Sequence, residues 1–301
     1  MRSLIITLSS ATVRNYRTHN ERVNIAEFSL LVWLGSIAAG LLGALTGLGG
    51  GVVIVPMLTL GFGVDIRYAM GASLISVIAT SSGAAAAFVK EGYSNVRVGM
   101  FLEIATCLGA LAGAYLATRI PTSALAIVFG FVLLYSAYLS LTAKDHIAED
   151  TGPAEPWAAR LRLDSQMPVA TGWQSYRVHN VGGGFALMGV AGALSGLLGI
   201  GSGAIKVLAM DRVMKLPFKV STTTSNFMIG VTAAASAGVY LGKGFIEPGL
   251  AAPVMLGVLA GSLVGAKVLA TAKNQTLRYI FSAVIGVLAV QMIYKGIAGR
   301  L

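Results

Sequence analysis

Two stretches of this chain, Ala69 to Val89 and Val98 to Thr118, run 21 residues each with Glu103 as their only charge. A run of about 20 apolar residues is what an α-helix needs to cross the ~30 Å hydrocarbon core of a bilayer. The same residues could not be covered by the rest of the chain in water. Charged residues make up 11% of the 301 and hydrophobic ones 55%, with a mean hydropathy of +0.77, against roughly 25% charged in a soluble domain. The runs lack the alternation of a membrane β-barrel strand. The expectation is an all-α, polytopic transmembrane helical bundle. The 38 glycines fit helices that pack in lipid with their backbones close together.

The net charge of +10 is carried mostly between the apolar runs. It is read as positive-inside topology and contact with anionic headgroups, not as nucleic-acid binding. Cys107 is the only cysteine, so no intrachain disulfide can form. The Leu4–Leu8 run falls short of a signal-peptide core.

The domain pattern expected is a polar tail at 1–28, a membrane repeat at 29–141, a polar linker at 142–180 and a second membrane repeat at 181–301. The first apolar stretch, about Ser29 to Phe62, is too long for one span and is broken by Gly47-Leu48-Gly49-Gly50-Gly51. Consecutive glycines weaken a helix by about 1 kcal/mol each relative to alanine. A helix over Ser29–Thr46, a turn, and a short helix from Gly51 to about Leu60 are expected. Spans near 69–89, 98–118 and 123–141 follow.

The second half repeats this order. Gly199-Ile200-Gly201-Ser202-Gly203 stands where Gly47–Gly51 stood, an offset of 199 − 47 = 152. The same offset pairs Gly40 with Gly192, Ser73 with Ser225, Thr80 with Thr232, Gly92 with Gly244, Gly109 with Gly261, Gly113 with Gly265 and Leu125 with Leu277. If each broken stretch is a helical hairpin, each half holds five membrane segments, about eight full spans plus two short helices in all. An odd number inverts the second half, as in many secondary transporters. That arrangement puts Lys90, Arg97, the linker, Arg212, Lys215, Lys219, Lys273 and Arg278 on the cytoplasmic side and both termini outside. A kink instead of a hairpin would give four spans per half and parallel repeats.

Backbone left unpaired inside a bilayer survives only within protein or beside a wet cavity, and the start of a helix favours an anion. Gly47, Gly49, Gly50, Gly51, Gly199, Gly201, Ser202 and Gly203 are therefore candidate substrate-binding residues. Close helix packing with a kink is the alternative. The hydroxyl-rich starts of the next spans add Ser73, Thr222, Ser225 and Asn226, as uncharged hydrogen-bond donors to an anion, unless the hydroxyls merely bond back to their own helix. Lys206 either complements the anion or snorkels to the interface. Glu103 is either a proton-coupling carboxylate or an interfacial one, and Lys267 is read as snorkelling. His19, His146 and His179 lie in the tail or linker, so no metal, cofactor or catalytic cluster is drawn. The glycine run lacks the ending of a phosphate loop. The chain is not read as an enzyme.

These features resemble the TauE/SafE family of sulfite exporters. The residues that carry the resemblance are Gly47-Leu48-Gly49-Gly50-Gly51-Val52-Val53-Ile54-Val55-Pro56, Gly199-Ile200-Gly201-Ser202-Gly203, Gly71-Ala72-Ser73-Leu74 and Thr223-Thr224-Ser225-Asn226. The second break departs from the first in having Leu208 where Pro56 stands. The resemblance covers about Leu30 to Ile297. It implies a multi-pass permease of the bacterial inner (cytoplasmic) membrane that moves sulfite, sulfonates or related anions. The partners expected are that small anion and the bilayer, with a homo-oligomer left open. A passive anion channel, or a permease for another small anion, is the competing reading.

Overall fold

The computed structural model describes residues 25–46, 50–90, 92–142, 155–169, 172–269 and 274–299. Its first half runs α1 (Ile25–Thr46), a short α2 (Gly51–Pro56) continued by a π-helical turn (Met57–Gly61), α3 (Ile66–Lys90), α4 (Val96–Ala117) and α5 (Thr122–Thr142). After α6 (Pro156–Arg160) and the strands β1 (Ser165–Val169) and β2 (Gly172–Tyr176), the order recurs. It runs α7 (Val181–Leu198), α8 (Gly203–Leu208) with a π-helical turn (Ala209–Val213), α9 (Phe218–Gly242), α10 (Pro248–Leu269) and α11 (Asn274–Ile297).

The offset of 152 reproduces most helix boundaries. Adding it to 51–56, 66–90 and 96–117 gives 203–208, 218–242 and 248–269, the observed limits of α8, α9 and α10. The π-helical turn forms after Leu208 as it does after Pro56, so proline is not what produces it. Both turns close the same way: the Val64 and Leu216 amides donate to Leu58 and Met210 carbonyls, 3.0 Å in each case. The closure needs a left-handed residue, supplied by Gly63 (φ +66°) in one half and by Lys215 (φ +58°) in the other.

Helices of one half pack chiefly on helices of the other. α1 lies on α10 and α7 on α4; α3 pairs with α9 and α5 with α11. Two further contacts, α4 with α9 and α10 with α3, exchange under the same offset. Glycine makes the tightest of these possible. A methyl on Gly192 or Gly196 of α7 would overlap the carbonyl oxygens of Thr106 or Ala110 on α4, and one on Gly257 or Gly261 of α10 would run into the backbone of α1 at Trp33 or Ile37. In lipid such close backbone packing replaces the hydrophobic drive that water supplies.

Among the described residues, three helical stretches are long and apolar enough to cross a membrane by themselves: Ala26–Gly43, Val96–Ala117 and Val181–Leu198. Shorter apolar helical stretches lie at Gly51–Gly61, Thr122–Tyr138, Pro248–Val264 and Ser282–Ile297. The faces turned outward are apolar, with Leu108, Phe131, Leu263 and Tyr294 among the exposed large side chains.

The fold is nearly all-α, and the exception lies in the linker. Residues 155–180 form α6 and an antiparallel hairpin that pairs Ser165 with Tyr176 and Val169 with Gly172. Ala158, Leu163, Tyr176 and Val178 bury themselves against Val98, Leu102, Met188, Met214 and Val220, so this unit caps the end of the bundle where α4 and α9 begin. Asn95 fastens it. Its side chain caps α4 by accepting from Val98 N at 3.1 Å, and its amide donates to Leu163 O (2.9 Å) and Tyr176 Oη (3.0 Å). Burial pushes the Tyr176 phenol above its ordinary range.

Candidate functional site

Gly47 and Gly49 of the first break lie outside the described residues. Gly50 precedes α2 and Gly51 begins it. The second break is described throughout. Gly199 ends α7 at φ +67°, its amide donating to Ser195 O at 2.8 Å. Gly201 follows at φ +74° and Ser202, the residue before α8, at φ +45°. Three left-handed residues within four positions interrupt the helix inside the protein, and the first two are glycine because a Cβ is disfavoured there.

The two breaks meet. A methyl on Gly51 would sit 2.7 Å from Ser73 Oγ and 3.4 Å from Ile200 Cα, so Gly51 lets the first break approach the second. Ser73 Oγ donates across the halves to Gly199 O at 2.7 Å, Ser225 Oγ donates to Gly203 O at 3.3 Å and Ser202 Oγ to Ala191 O at 2.6 Å. Gly199 O lies past the end of α7 and receives from Ser73 the partner that burial in a membrane demands, while Ala191 O and Gly203 O lie in helices and gain an additional donor. Beside the breaks, Val52, Val132, Ser136, Ile200, Ser202, Gly203 and Ile205 enclose a cavity of about 10 Å³, at the lower limit for a single water. The junction is closed in this conformation.

The hydroxyl run at the start of α9 divides by role. Thr222 and Thr223 bond back to Phe218 O (2.9 Å) and Lys219 O (3.0 Å), which is the local use such residues often find. Thr224 Oγ1 accepts from Asn95 N at 3.0 Å. Ser221 is fully buried with an unpartnered hydroxyl. Asn226 is half-buried.

Lys206 does not snorkel: its side chain is 0% exposed. It sits one turn beyond Ser202 on α8, and its Nζ donates to Thr232 Oγ1 of α9 at 2.5 Å. Thr232 Oγ1 lies 2.6 Å from Glu103 Oε1 of α4 and 2.9 Å from Met228 O. A hydroxyl has one proton to give. With the ammonium donating into its oxygen, Thr232 passes its own proton to Glu103 or to Met228. Glu103 is not an interfacial carboxylate either, being 8% exposed, and Cys107 Sγ donates to the same Oε1 at 3.4 Å. Its other oxygen, Oε2, is buried without a partner. The side chain of Lys267 lies outside the described residues.

This Lys206–Thr232–Glu103 chain joins the two halves and has no charged counterpart under the repeat. The offset places Ile54, Thr80 and Met255 at the matching positions, and Ile54 is fully buried. Sequence reasoning picked out both charges and missed Thr232, which drew notice only as the repeat mate of Thr80. The signal available was two opposite charges in apolar segments whose repeat mates are uncharged.

Helices broken inside the protein, hydroxyls that tie the breaks to neighbouring backbone and a buried charge pair are features of a helical membrane transport protein. The chain belongs to the sulfite exporter TauE/SafE family, whose model matches residues 32–292. It is 31% identical to the probable membrane transporter protein YunE of Bacillus subtilis (strain 168), over 90% of this chain and 98% of that one. It is 28% identical to YdhB, another probable membrane transporter protein of that organism, over 79% and 87%. With the probable membrane transporter protein MJ0441 of Methanocaldococcus jannaschii it shares 27% identity over 88% and 94%. No solved structure gives a significant match.

Proposed function

We propose that this membrane permease carries small sulfur-containing anions such as sulfite or sulfonates by alternating access. The anion is held where the two breaks meet, between repeats of inverted topology. The observation that carries the reading is the junction itself, where Gly51 and Ile200 come together with Ser73 and Ser225 at matched positions and a water-sized void lies beside them against Val52, Ile200 and Gly203. Opening one side of the junction at a time would expose Gly50, Gly51 and the Gly199–Gly203 backbone, together with Ser73, Ser225 and Asn226, to an anion from that side. Thr222 lines the same approach if its bond to its own helix is released.

The test is flux into proteoliposomes with radiolabelled sulfite, sulfate and taurine. Saturable uptake of a sulfur anion that trans-side substrate accelerates is the expected result. A flux that rises linearly with the gradient, carries current and shows no trans-acceleration would instead define a passive channel.

Inversion has its own test. With five segments per half, reporter fusions at residues 1 and 301 should report the same side and a fusion near Gly152 the opposite side. Finding the linker on the side of the termini would establish parallel repeats.

A further inference from the structure

We infer that the Lys206–Thr232–Glu103 chain is the coupling device of the transporter and that it binds one proton for each singly charged anion carried. The inference rests on the permease reading above. It adds which ion is coupled, where that ion binds and what charge the substrate must have.

The argument begins with charge inside hydrocarbon. A net charge buried at membrane depth is costly and is tolerated only when compensated. Here the Lys206 ammonium and the Glu103 carboxylate cancel through the Thr232 hydroxyl, with 2.5 Å and 2.6 Å links. The empty, closed protein is therefore neutral at this point. An incoming anion would break that balance unless a positive charge came with it. The place for that charge is Glu103 Oε2, the one oxygen of these three side chains that has no hydrogen-bond partner among the described residues. A proton taken up there forms an O–H bond and removes the carboxylate's charge, leaving the ammonium to balance a monoanion at the breaks. Release of the anion on the other side returns the negative charge to Glu103 as the proton leaves. Both the empty and the loaded closed states are then neutral. A dianion would leave the loaded state one charge negative.

Among the described residues, Cys107 is the one other ionisable group hydrogen-bonded to this chain, and Asp211, on the turn that continues α8, lies 3.4 Å from Arg212. From α4, Cys107 faces Glu103 as an S–H donor. Lys206 comes from α8, and α9 contributes the uncharged Thr232 and Ser236. α7, packed on α4, has no titratable side chain between Val181 and Leu198. α3, packed on α9, carries Arg67 and Tyr68 in its first turn and Lys90 at its last residue. Each half contributes one of the two charges, and the positions that match them under the offset, Ile54 and Met255, are uncharged, so the pair is not a requirement of the shared fold.

The experiment uses the full chain in proteoliposomes with methanesulfonate and sulfite as probes. Methanesulfonate is chosen because it stays singly charged across the accessible pH range. An acidic outside should drive its accumulation, with one proton per anion recorded by a lumenal pH dye and no membrane potential recorded by a voltage dye. The Glu103→Gln variant should still exchange labelled for unlabelled anion but should no longer accumulate it against a gradient or move protons. It should also unfold at a higher temperature when the anion is added, because the unbalanced Lys206 then gains a partner. Anion movement without protons, or with charge build-up, overturns the coupling while leaving the permease reading intact. So does gradient-driven accumulation by Glu103→Gln. If neither probe is exchanged by the unaltered protein, the permease reading falls and the coupling falls with it. Should Glu103→Gln fail to reach the membrane, the proton count of the unaltered protein decides alone.

Discussion

Replacing Lys206 by methionine is expected to destabilise the protein by on the order of 3–5 kcal/mol, the cost of removing one partner from a buried ion pair. Methionine fills much the same space, so the loss is electrostatic. It strands the Glu103 carboxylate, already missing a partner at Oε2, and leaves Thr232 without the ammonium that orients its hydroxyl. The double variant Lys206→Met, Glu103→Gln should recover most of the stability, since two neutral side chains meeting at Thr232 bury no net charge. Thermal unfolding in detergent, followed by size-exclusion, reads both. A single variant as stable as the parent, or a double variant no better than the single one, would show that the charges do not depend on each other. Transport should be lost in both, because neither can hold the proton and the anion together.

The second large effect is expected at Gly201. Its φ of +74° is costly for any residue with a Cβ, by roughly 1–2 kcal/mol. A methyl there would also lie 2.8 Å from Ile229 Cγ2 and 3.4 Å from Val77 Cγ1. Gly201→Ala should therefore be moderately destabilised. Gly201→Leu adds overpacking of typically 1–3 kcal/mol and should abolish transport. Gly238 of α9 is the control, since a side chain there meets nothing within 4 Å and a leucine should be silent. Normal flux in Gly201→Leu would mean that the break tolerates a bulky residue and that the substrate path runs elsewhere.

The repeat and the breaks were legible because both leave marks in local sequence. One register of 152 residues carries the observed limits of α2, α3 and α4 onto those of α8, α9 and α10, and the expected helix Ser29–Thr46 and the short helix from Gly51 agree with α1 and α2 at the break. The hairpin in the linker was not legible. Its strands are five residues each, Pro168 lies within one, and most of its positions are exposed, so no apolar alternation advertises it. The environments of Lys206 and Glu103 were also hidden. Position along a span says how deep a residue lies but not which helix stands beside it. Each of these charges owes its burial to a partner on another helix, Thr232, that no local pattern could single out. Lys215 takes left-handed backbone that sequence alone would have given to glycine, because the fold repeats the turn of its mate Gly63, whereas Ser202 is left-handed where its mate Gly50 is right-handed at φ −63°.

The cross-half packing of the helices bears on how such a chain can be made. α1 ends at Thr46 and its main partner α10 begins at Pro248, so 248 − 46 = 202 positions separate them. A chain threaded into the membrane from its N-terminus has delivered all five helices of the first half before the partners of α1, α3, α4 and α5 exist. Until then the face of α4 that meets α7, small-residued at Gly109 and Gly113, is open to lipid or to whatever assists insertion. Assembly is thus a late event that waits on the second half, and the linker that precedes it sets when that half arrives. A ribosome stalled between α6 and α7 would hold an inserted half with its tightest packing surfaces still unclaimed.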